Sequence, residues 1–280
     1  MAPISGTGLA PLGEADLPGA LALSAEAGWN QVEADWRLFL RHGTVHGQRG
    51  ADGALRATGA VLPYGPFGWI SMVLVTASAR GRGLGTAVLR EAMAELAARG
   101  QAALLDATPA GERIYHPLGF RPVFPLLRWR GEASGGGAPE PGLRSATAAD
   151  LPAITAADAE AFGVPRPAII EDLWRRAPEA ALVLEGGEGF LLARPGRQAL
   201  QLGPLVAPDE AAAARLLRAA LGRARGPVLL DLPRRWSGLA ALLAEAGFRE
   251  ERPYLRMALG REAAFGDPAR LFLIAGPELG

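Results

Sequence analysis

The sequence predicts an α/β fold, a mixed sheet flanked by helices, that is built twice in tandem. Two observations carry this prediction. An apolar strand at 68–75 leads through a glycine-rich loop, "ARGRGLG" at 79–85, into an amphipathic helix at 84–99. The segments on either side of a glycine- and proline-rich stretch at 131–142 also match one another. Strands that alternate with helices form layered α/β domains.

The tandem arrangement is predicted from an internal repeat. "ADLP" occurs at 15–18 and again at 149–152, and "GFRPVFPLLRW" from Gly119 matches "GFREERPYLRM" from Gly247. Because these anchors recur in the same order, we interpret the chain as a duplication of one fold. The predicted domains are residues 1–130, a linker at 131–143 and a second copy at 144–280.

The elements of the first copy follow from hydrophobic periodicity and turn residues. The strand at 68–75 is continuously apolar, so we expect it to be central and buried on both faces. In the helix, Leu84, Val88, Ala92 and Leu96 form one apolar row. The remaining predicted elements are a helical region at 14–40, strands at 43–49 and 54–63 around the turn "GADG", a strand at 102–108, a short helix ending at Gly119 and a last strand at 121–129.

Composition excludes several classes of function. The 280 residues carry 29 basic and 29 acidic side chains, so charge gives no case for nucleic acid or an anionic membrane. Cysteine is absent, which excludes disulfides and a thiol nucleophile. His42 and His46 have helical metal-ligand spacing, but the residues between them favour a strand, where they would lie roughly 13 Å apart. We therefore predict no metal site.

We also expect a cytoplasmic protein. The first 19 residues contain no basic segment followed by an apolar run of the kind found in secretory signals. No apolar run in the sequence approaches the length needed to cross a membrane.

The glycine loop has the character of an anion site. Glycine opens backbone conformations closed to other residues, and the first turn of a helix leaves N–H groups that favour an anion. Arg80 and Arg82 add positive charge. A P-loop is excluded because the chain has no lysine, and a dinucleotide fingerprint fits poorly because Thr86 stands where Gly or Ala is required. The alternative is a tight strand-to-helix turn.

The order of these motifs resembles the GNAT superfamily of N-acetyltransferases over roughly residues 7–130. "RGRGLGT" is similar to the family's R/Q-x-x-G-x-G/A motif, and "IYHPLGF" to its Tyr-x-x-x-Gly-Phe segment. The resemblance implies two tandem GNAT-like domains with acetyl-CoA as co-substrate. It implies that the pyrophosphate is held by Arg80, Gly81, Arg82, Gly83, Leu84, Gly85 and Thr86, and that the backbone of Val73, Leu74 and Val75 binds the pantetheine and acetyl group.

Tyr115 is the predicted general acid on the same resemblance. A phenol is protonated at neutral pH and can give its proton to the departing CoA thiolate. The alternative is that Tyr115 only packs with Phe120. Thr108 stands where the family often has a cofactor-binding Asn, and its hydroxyl is a weaker candidate for that role.

The acceptor side is less well marked. Trp29 and Asn30 are candidates to wall the acceptor pocket, and ordinary helix packing is the alternative. Carboxylates and imidazoles that could take the proton of the attacking ammonium are Glu33, Asp35, His42, His46 and Asp106. For Asp106 the counterpart Asp231 in the second copy favours a structural role.

The second copy lacks the first copy's catalytic features. Ala211–Ala214 replace the glycine loop, and Leu243 stands at the position of the tyrosine. Phe162 and Arg166 would face a similar groove there, with Arg166 binding an acceptor carboxylate or, as we favour, lying on the surface. The predicted function is transfer of acetyl from acetyl-CoA to a small-molecule amine by direct attack in a ternary complex.

Two rival functions remain open. One is a protein or peptide N-acetyltransferase, and the other is a non-catalytic module that binds acetyl-CoA. The prediction includes no nucleic acid and no membrane partner, and it allows a homodimer.

Overall fold

The computed structural model describes residues 8–137 and 140–280 and forms two compact units, Met1–Leu105 and Asp106–Gly280. Residues 1–7 of the predicted first domain, and Ala138 and Pro139 of the predicted linker, lie outside the described residues. The boundary between the units falls inside a strand and does not follow the sequence repeat. The repeat boundaries therefore stay a prediction.

The first unit is a five-stranded sheet with helices. Its strands follow the order β1-β2-β3-β4-β5, with antiparallel pairing except between β4 and β5, which are parallel. The elements are β1 (Leu9–Pro11), α1 (Leu17–Glu26), α2 (Glu33–His42), β2 (Thr44–Arg49), β3 (Leu55–Tyr64), β4 (Phe67–Val75), α3 (Leu84–Ala98) and β5 (Ala102–Ala107), whose last two residues belong to the second unit.

The prediction of one helical region over 14–40 was wrong, because two helices occupy it. Gly28, at φ +69°, takes the left-handed conformation after α1, and the Trp29 N–H donates to the Ser24 carbonyl. A glycine there ends a helix without steric cost. α2 begins after Val32, whose N–H donates to the buried Asp35 carboxylate at 2.8 Å. A loop at 27–32 therefore separates the helices.

α3 lies close to the sheet because two glycines lie beneath it. A Cβ at Gly59 of β3 would overlap Val88, and a Cβ at Gly68 of β4 would overlap Leu96. Of the predicted apolar row, Val88, Ala92 and Leu96 are buried, whereas Leu84 at the start of the helix is half-buried. β4 is held between β3 and β5 with most of its side chains buried, which confirms a central strand.

The second unit contains a sheet of order β12-β6-β11-β10-β9-β8-β7, with β13 paired to β10. Its elements are α4 (Pro109–Tyr115), β6 (Phe120–Ala133), β7 (Leu143–Ser145), α5 (Leu151–Phe162), α6 (Pro167–Arg176), β8 (Leu182–Leu184), β9 (Phe190–Arg194), β10 (Leu200–Val206), α7 (Glu210–Arg223), β11 (Gly226–Pro233), α8 (Ser237–Glu245), β12 (Arg249–Leu259) and β13 (Leu271–Leu273).

The sheet of the second unit contains a strand of the first repeat. β6 pairs antiparallel with both β11 and β12, so it separates two strands that are consecutive in the second repeat. Arg128 of β6 forms a bidentate ion pair with Asp231 of β11, with both N···O distances 2.8 Å. Arg256 of β12 does the same with Asp106, at 2.9 Å. Each repeat therefore supplies the buried arginine that pairs with the buried aspartate of the other repeat.

Candidate active site

β4 carries a bulge at the residues that were predicted to hold a ligand. Thr58 of β3 pairs with Leu74 and Ala60 pairs with Ser71, so two residues, Met72 and Val73, oppose one. Met72 takes φ +52°, which a non-glycine residue adopts only under strain, and the Thr58 hydroxyl donates to its carbonyl at 2.9 Å. A bulge interrupts regular pairing and re-aims backbone groups.

The parallel partner of β4 leaves it early. β4 and β5 pair at Phe67–Trp69, whereas β4 continues to Val75. Val73 belongs to the bulge, and Leu74 and Val75 follow it, where β4 still pairs with β3 but no longer with β5. Met72, the strained residue, precedes these three directly, and strained backbone concentrates at ligand sites.

The glycine loop opens the N-terminus of α3. Gly81 and Gly83 take φ +75° and +78°, and a Cβ at either would meet no atom within 4 Å. Gly83 is the residue before the helix, so no side chain caps the first turn. The N–H groups of Leu84, Gly85 and Thr86 lie in this half-buried turn, and Arg82 is exposed beside it. Such a turn attracts an anion.

Arg80 and Glu26 fix the start of the loop. The Arg80 Nε donates to the Val75 carbonyl at 3.1 Å. The Glu26 carboxylate accepts from the Ala77 N–H at 2.6 Å and from the Thr76 hydroxyl at 2.8 Å. The Ala77 N–H, the Thr76 hydroxyl and the charge of Arg80 hold the pKa of Glu26 below its ordinary value. Glu26 was not predicted as a site residue, because no local motif in the sequence marks it.

Thr108 and Tyr115 belong to the second unit. Thr108 is the residue before the short helix α4, and Tyr115 is its last residue. The Thr108 hydroxyl accepts from the Gly111 N–H at 3.2 Å as the N-cap of α4. The Tyr115 ring is half-buried, 6.0 Å from the Phe120 ring, and a Cβ at Gly111 would press on it at 2.9 Å. Burial raises the pKa of Tyr115 to about 12, so the phenol stays protonated.

Comparison with known proteins identifies the family. The description "Acetyltransferase (GNAT) family" matches residues 22–120, and "Acetyltransferase (GNAT) domain" matches residues 154–273. The chain is a tandem GNAT acetyltransferase. The family uses acetyl-CoA as co-substrate and acts on an amine acceptor.

Two curated relatives match most of the chain. The N-acetyltransferase YitH of Bacillus subtilis (strain 168), itself named uncharacterized, is 24% identical over 87% of this chain and 88% of its own. Holothin acyltransferase of Pseudoalteromonas sp. (strain SANK 73390) is 26% identical over 76% of this chain and 74% of its own.

Solved structures confirm the predicted mixed α/β fold and the tandem GNAT domains. A proposed acetyltransferase from Pyrococcus horikoshii aligns with TM-score 0.80 and 20% identity over 100% of this chain and 99% of its own. A tandem GNAT protein from the clavulanic acid biosynthesis pathway aligns with TM-score 0.63 and 15% identity over 89% and 97%. At these identities the likeness concerns the fold.

The loop between α1 and α2 starts beside the carboxyl end of β4, because Glu26 ties the two together. Trp29 is half-buried in this loop and Asn30 is buried. Gln31 is 6% exposed and its Oε1 has no hydrogen-bond partner among the described residues. Ser71 of β4 is 8% exposed, and its Oγ is likewise unpartnered within 8–137 and 140–280.

The side chain of Ser71 does not face α3. Gly68 of β4 faces Leu96 of α3, and side chains alternate along a strand, so Ser71 lies on the opposite face. A buried polar oxygen without a partner costs about 1–3 kcal/mol. Gln31 and Ser71 were not singled out from the sequence, because burial without a partner is visible only in the fold.

Four of the five predicted base candidates interact with other side chains or with backbone. Glu33 pairs with Arg37, Asp35 caps α2, and the Nδ1 of His46 lies 3.9 Å from the Glu95 carboxylate. Asp106 is bound bidentately by Arg256, which supports the structural role favoured for it. His42 is exposed at the end of α2.

The surface position favoured for Arg166 in the second repeat was wrong. Arg166 is 3% exposed, forms two hydrogen bonds to Asp158 at 2.7 and 3.0 Å, and stacks on the Phe162 ring at 3.7 Å. Leu243, at the tyrosine position, is fully buried in α8. Arg166 is therefore already bound within the chain.

Two classes of feature are not found within the described part of the chain. No three His, Asp or Glu side chains gather there as a metal-ligand set. None of the helices described is both long and apolar enough to cross a membrane.

Proposed function

We propose that this GNAT protein transfers an acetyl group from acetyl-CoA to the amine of a small-molecule acceptor, using the first repeat. The observation that carries the proposal is the uncapped N-terminus of α3, opened by Gly81 and Gly83 beside the bulged end of β4. We infer that the repeat boundaries at 1–130, 131–143 and 144–280 enclose one active and one divergent domain.

The co-substrate fits the first repeat on chemical grounds. The N–H groups at the start of α3 and the charges of Arg80 and Arg82 suit a pyrophosphate. Along Val73–Val75, β4 pairs with β3 but no longer with β5, and the edge that β5 leaves uncovered suits an extended chain of amides such as pantetheine. A backbone N–H at the bulge can stabilise the oxyanion that develops on the thioester. Thr108 keeps a hydroxyl proton to donate, since its capping bond uses the oxygen as acceptor.

Tyr115 is proposed as the general acid. The amine nitrogen adds to the thioester carbonyl carbon, the carbon–sulfur bond breaks, and the phenol gives its proton to the leaving thiolate. The nitrogen loses one proton to solvent, and the tyrosinate regains one from solvent, so that amide and free CoA thiol are the products. The pKa of about 12 keeps that proton in place throughout the physiological range. The chain has no cysteine, so the acetyl group passes directly in a ternary complex rather than through a thioester of the protein.

The small-molecule acceptor is supported by the polar groups near the end of β4. Gln31 and Ser71 bury oxygen atoms that an acceptor's polar groups could satisfy, and Trp29 and Asn30 belong to the same loop as Gln31. One curated relative is named for an acceptor, holothin, rather than for a protein.

Calorimetry with acetyl-CoA tests the proposal on the intact chain. We expect binding by the wild type and a lower affinity for Arg80→Ala, because that change removes a charge beside the loop. Arg99→Ala, at the far end of α3, is the matched control and should bind as the wild type does. If the wild type does not bind acetyl-CoA, the glycine loop is only a strand-to-helix turn and the proposed activity is wrong.

Turnover assays then separate the three functions. Release of the free CoA thiol, measured with a panel of small amines and separately with peptides, distinguishes a small-molecule acceptor from a peptide or protein. Binding without turnover of either panel, in both the wild type and Tyr115→Phe, would favour the non-catalytic module.

A further inference from the structure

The segment Leu271–Gly280 lies between two parallel strands of the second repeat. β10 and β11 pair at Leu200–Leu202 and then diverge. Beyond that point β13 pairs with β10, Leu273 with Leu205 and Leu271 with Val206. The Ile274 N–H donates to the Asp231 carbonyl of β11 at 3.2 Å. The segment therefore bonds to both strands where they separate.

The place it occupies corresponds to the bulged end of β4. In β10, Leu202 pairs with Ala193 and Leu205 with Leu191, so two residues, Gly203 and Pro204, oppose one, as Met72 and Val73 do in β4. The bulge makes Pro204–Val206 the counterparts of Val73–Val75. The segment 271–280 is therefore bonded to the counterparts of the backbone that we propose for pantetheine.

The segment is part of the core of its unit. Leu271, Phe272, Leu273, Ile274 and Ala275 are all buried. A Cβ at Gly203 of the bulge would overlap the Ile274 carbonyl oxygen, so glycine there admits the segment. Antiparallel strand addition of this kind is how extended peptides bind an exposed strand edge.

Two buried arginines hold the end of the segment. The Arg166 Nη1 donates to the Leu279 carbonyl at 2.8 Å and to the Gly280 carbonyl at 3.1 Å, while Asp158 neutralises its charge. Arg194 forms an ion pair with Glu278, and both side chains are nearly fully buried. The second repeat therefore commits two charged side chains to this peptide.

The helix after β10 is closed to anions. The Asp209 carboxylate caps α7 by accepting from the Ala212 N–H at 2.8 Å, whereas the N-terminus of α3 has no side-chain cap. A carboxylate at a helix N-terminus occupies the N–H groups and repels a phosphate.

We infer that the second repeat has converted its acyl-CoA cleft into a peptide groove, filled in cis by the chain's own residues 271–280. The inference rests on the proposed function for the location of acetyl-CoA in the first repeat. It follows that the chain binds one acetyl-CoA, and that acetyl-CoA does not displace residues 271–280.

Calorimetric stoichiometry and hydrogen exchange test this on the full chain. We expect one acetyl-CoA per chain and a single affinity that falls in Arg80→Ala. Amides of 271–280 should exchange at least about a hundredfold more slowly than in an unstructured peptide, with or without saturating acetyl-CoA. A second equivalent, rapid exchange, or loss of protection on adding acetyl-CoA would overturn the inference.

A pair of variants tests the role of Arg166. Arg166→Leu should speed exchange at 276–280, whereas Arg144→Leu, which breaks an exposed ion pair with Asp150 in the same unit, should not. Equal exchange in the two variants would count against the groove.

If no acetyl-CoA binds while the segment is protected, the proposed activity fails and the filled groove stands. If two equivalents bind, the inference fails and the activity stands.

Discussion

Gly83→Ala offers a sharp test of the anion site, because the chain supplies a matched control. Gly83 and Gly53 both take φ +78°, and a Cβ at either meets no atom within 4 Å. Gly53 lies in the turn between β2 and β3, in the same unit. The two substitutions therefore impose the same backbone strain and the same added methyl group in different surroundings.

The expected loss of stability is the same for both variants. A left-handed alanine costs about 1–2 kcal/mol, and the smaller entropy of the unfolded chain returns about 0.4–1 kcal/mol. Each variant should therefore lower the free energy of unfolding by about 1 kcal/mol, measured by urea denaturation.

The affinity for acetyl-CoA should differ. The open space beside Gly83 is where we propose the pyrophosphate lies, so its methyl group should raise the Kd about tenfold, or about 1.4 kcal/mol. Gly53→Ala should leave the Kd unchanged by calorimetry. If both variants bind as the wild type does, or if both lose affinity equally, the loop does not hold the phosphate.

Three further predictions concern the acid, the buried ion pairs and the acceptor. Tyr115→Phe should lower kcat about 10²–10⁴-fold with the acetyl-CoA KM unchanged. The pKa of Tyr115 is about 12 in the folded protein and about 10 in the unfolded chain, so wild-type kcat should show no loss from this group up to about pH 11. The contribution of Tyr115 to the free energy of unfolding should be lost only as the pH rises from 10 to 12. Asp106→Asn should keep kcat within about twofold, which a general base could not, whereas Arg256→Met should lower the free energy of unfolding by about 3–5 kcal/mol by leaving a buried carboxylate unpaired. Ser71→Ala should raise the acceptor KM without destabilising the protein, whereas Ser24→Ala, which removes the buried acceptor of the Trp36 indole, should lower stability by about 1–3 kcal/mol with the acceptor KM unchanged.

The parts of the fold that sequence predicts are those set by local chemistry. The apolar run of β4, the glycines before α3 and the spacing of Val88 and Leu96 each act within a few residues, and the structure follows them. The break after Gly28 was missed because helix-forming residues lie on both sides of it. The bulge at Met72 was missed because methionine gives no sign of a positive φ.

The site is harder to predict because its supports come from distant positions. Glu26 reaches the start of the loop from 50 residues away in the chain, and Ser71 is recognisable only once its burial is known. Arg166 looked like a surface residue because the segment that buries it lies more than 110 residues further along the chain.

The strand exchange explains why a second repeat without a catalytic loop is retained. β6 and β12 carry arginine at the same repeat position, so either strand can neutralise the aspartate of either copy, and local pattern cannot choose between them. The fold resolves this by pairing Arg128 with Asp231 and Arg256 with Asp106. Removal of the second repeat would take away the guanidinium that pairs with Asp106 and the strands β11 and β12 that pair with β6. The first repeat therefore needs β12 whether or not the second groove binds anything beyond its own residues 271–280.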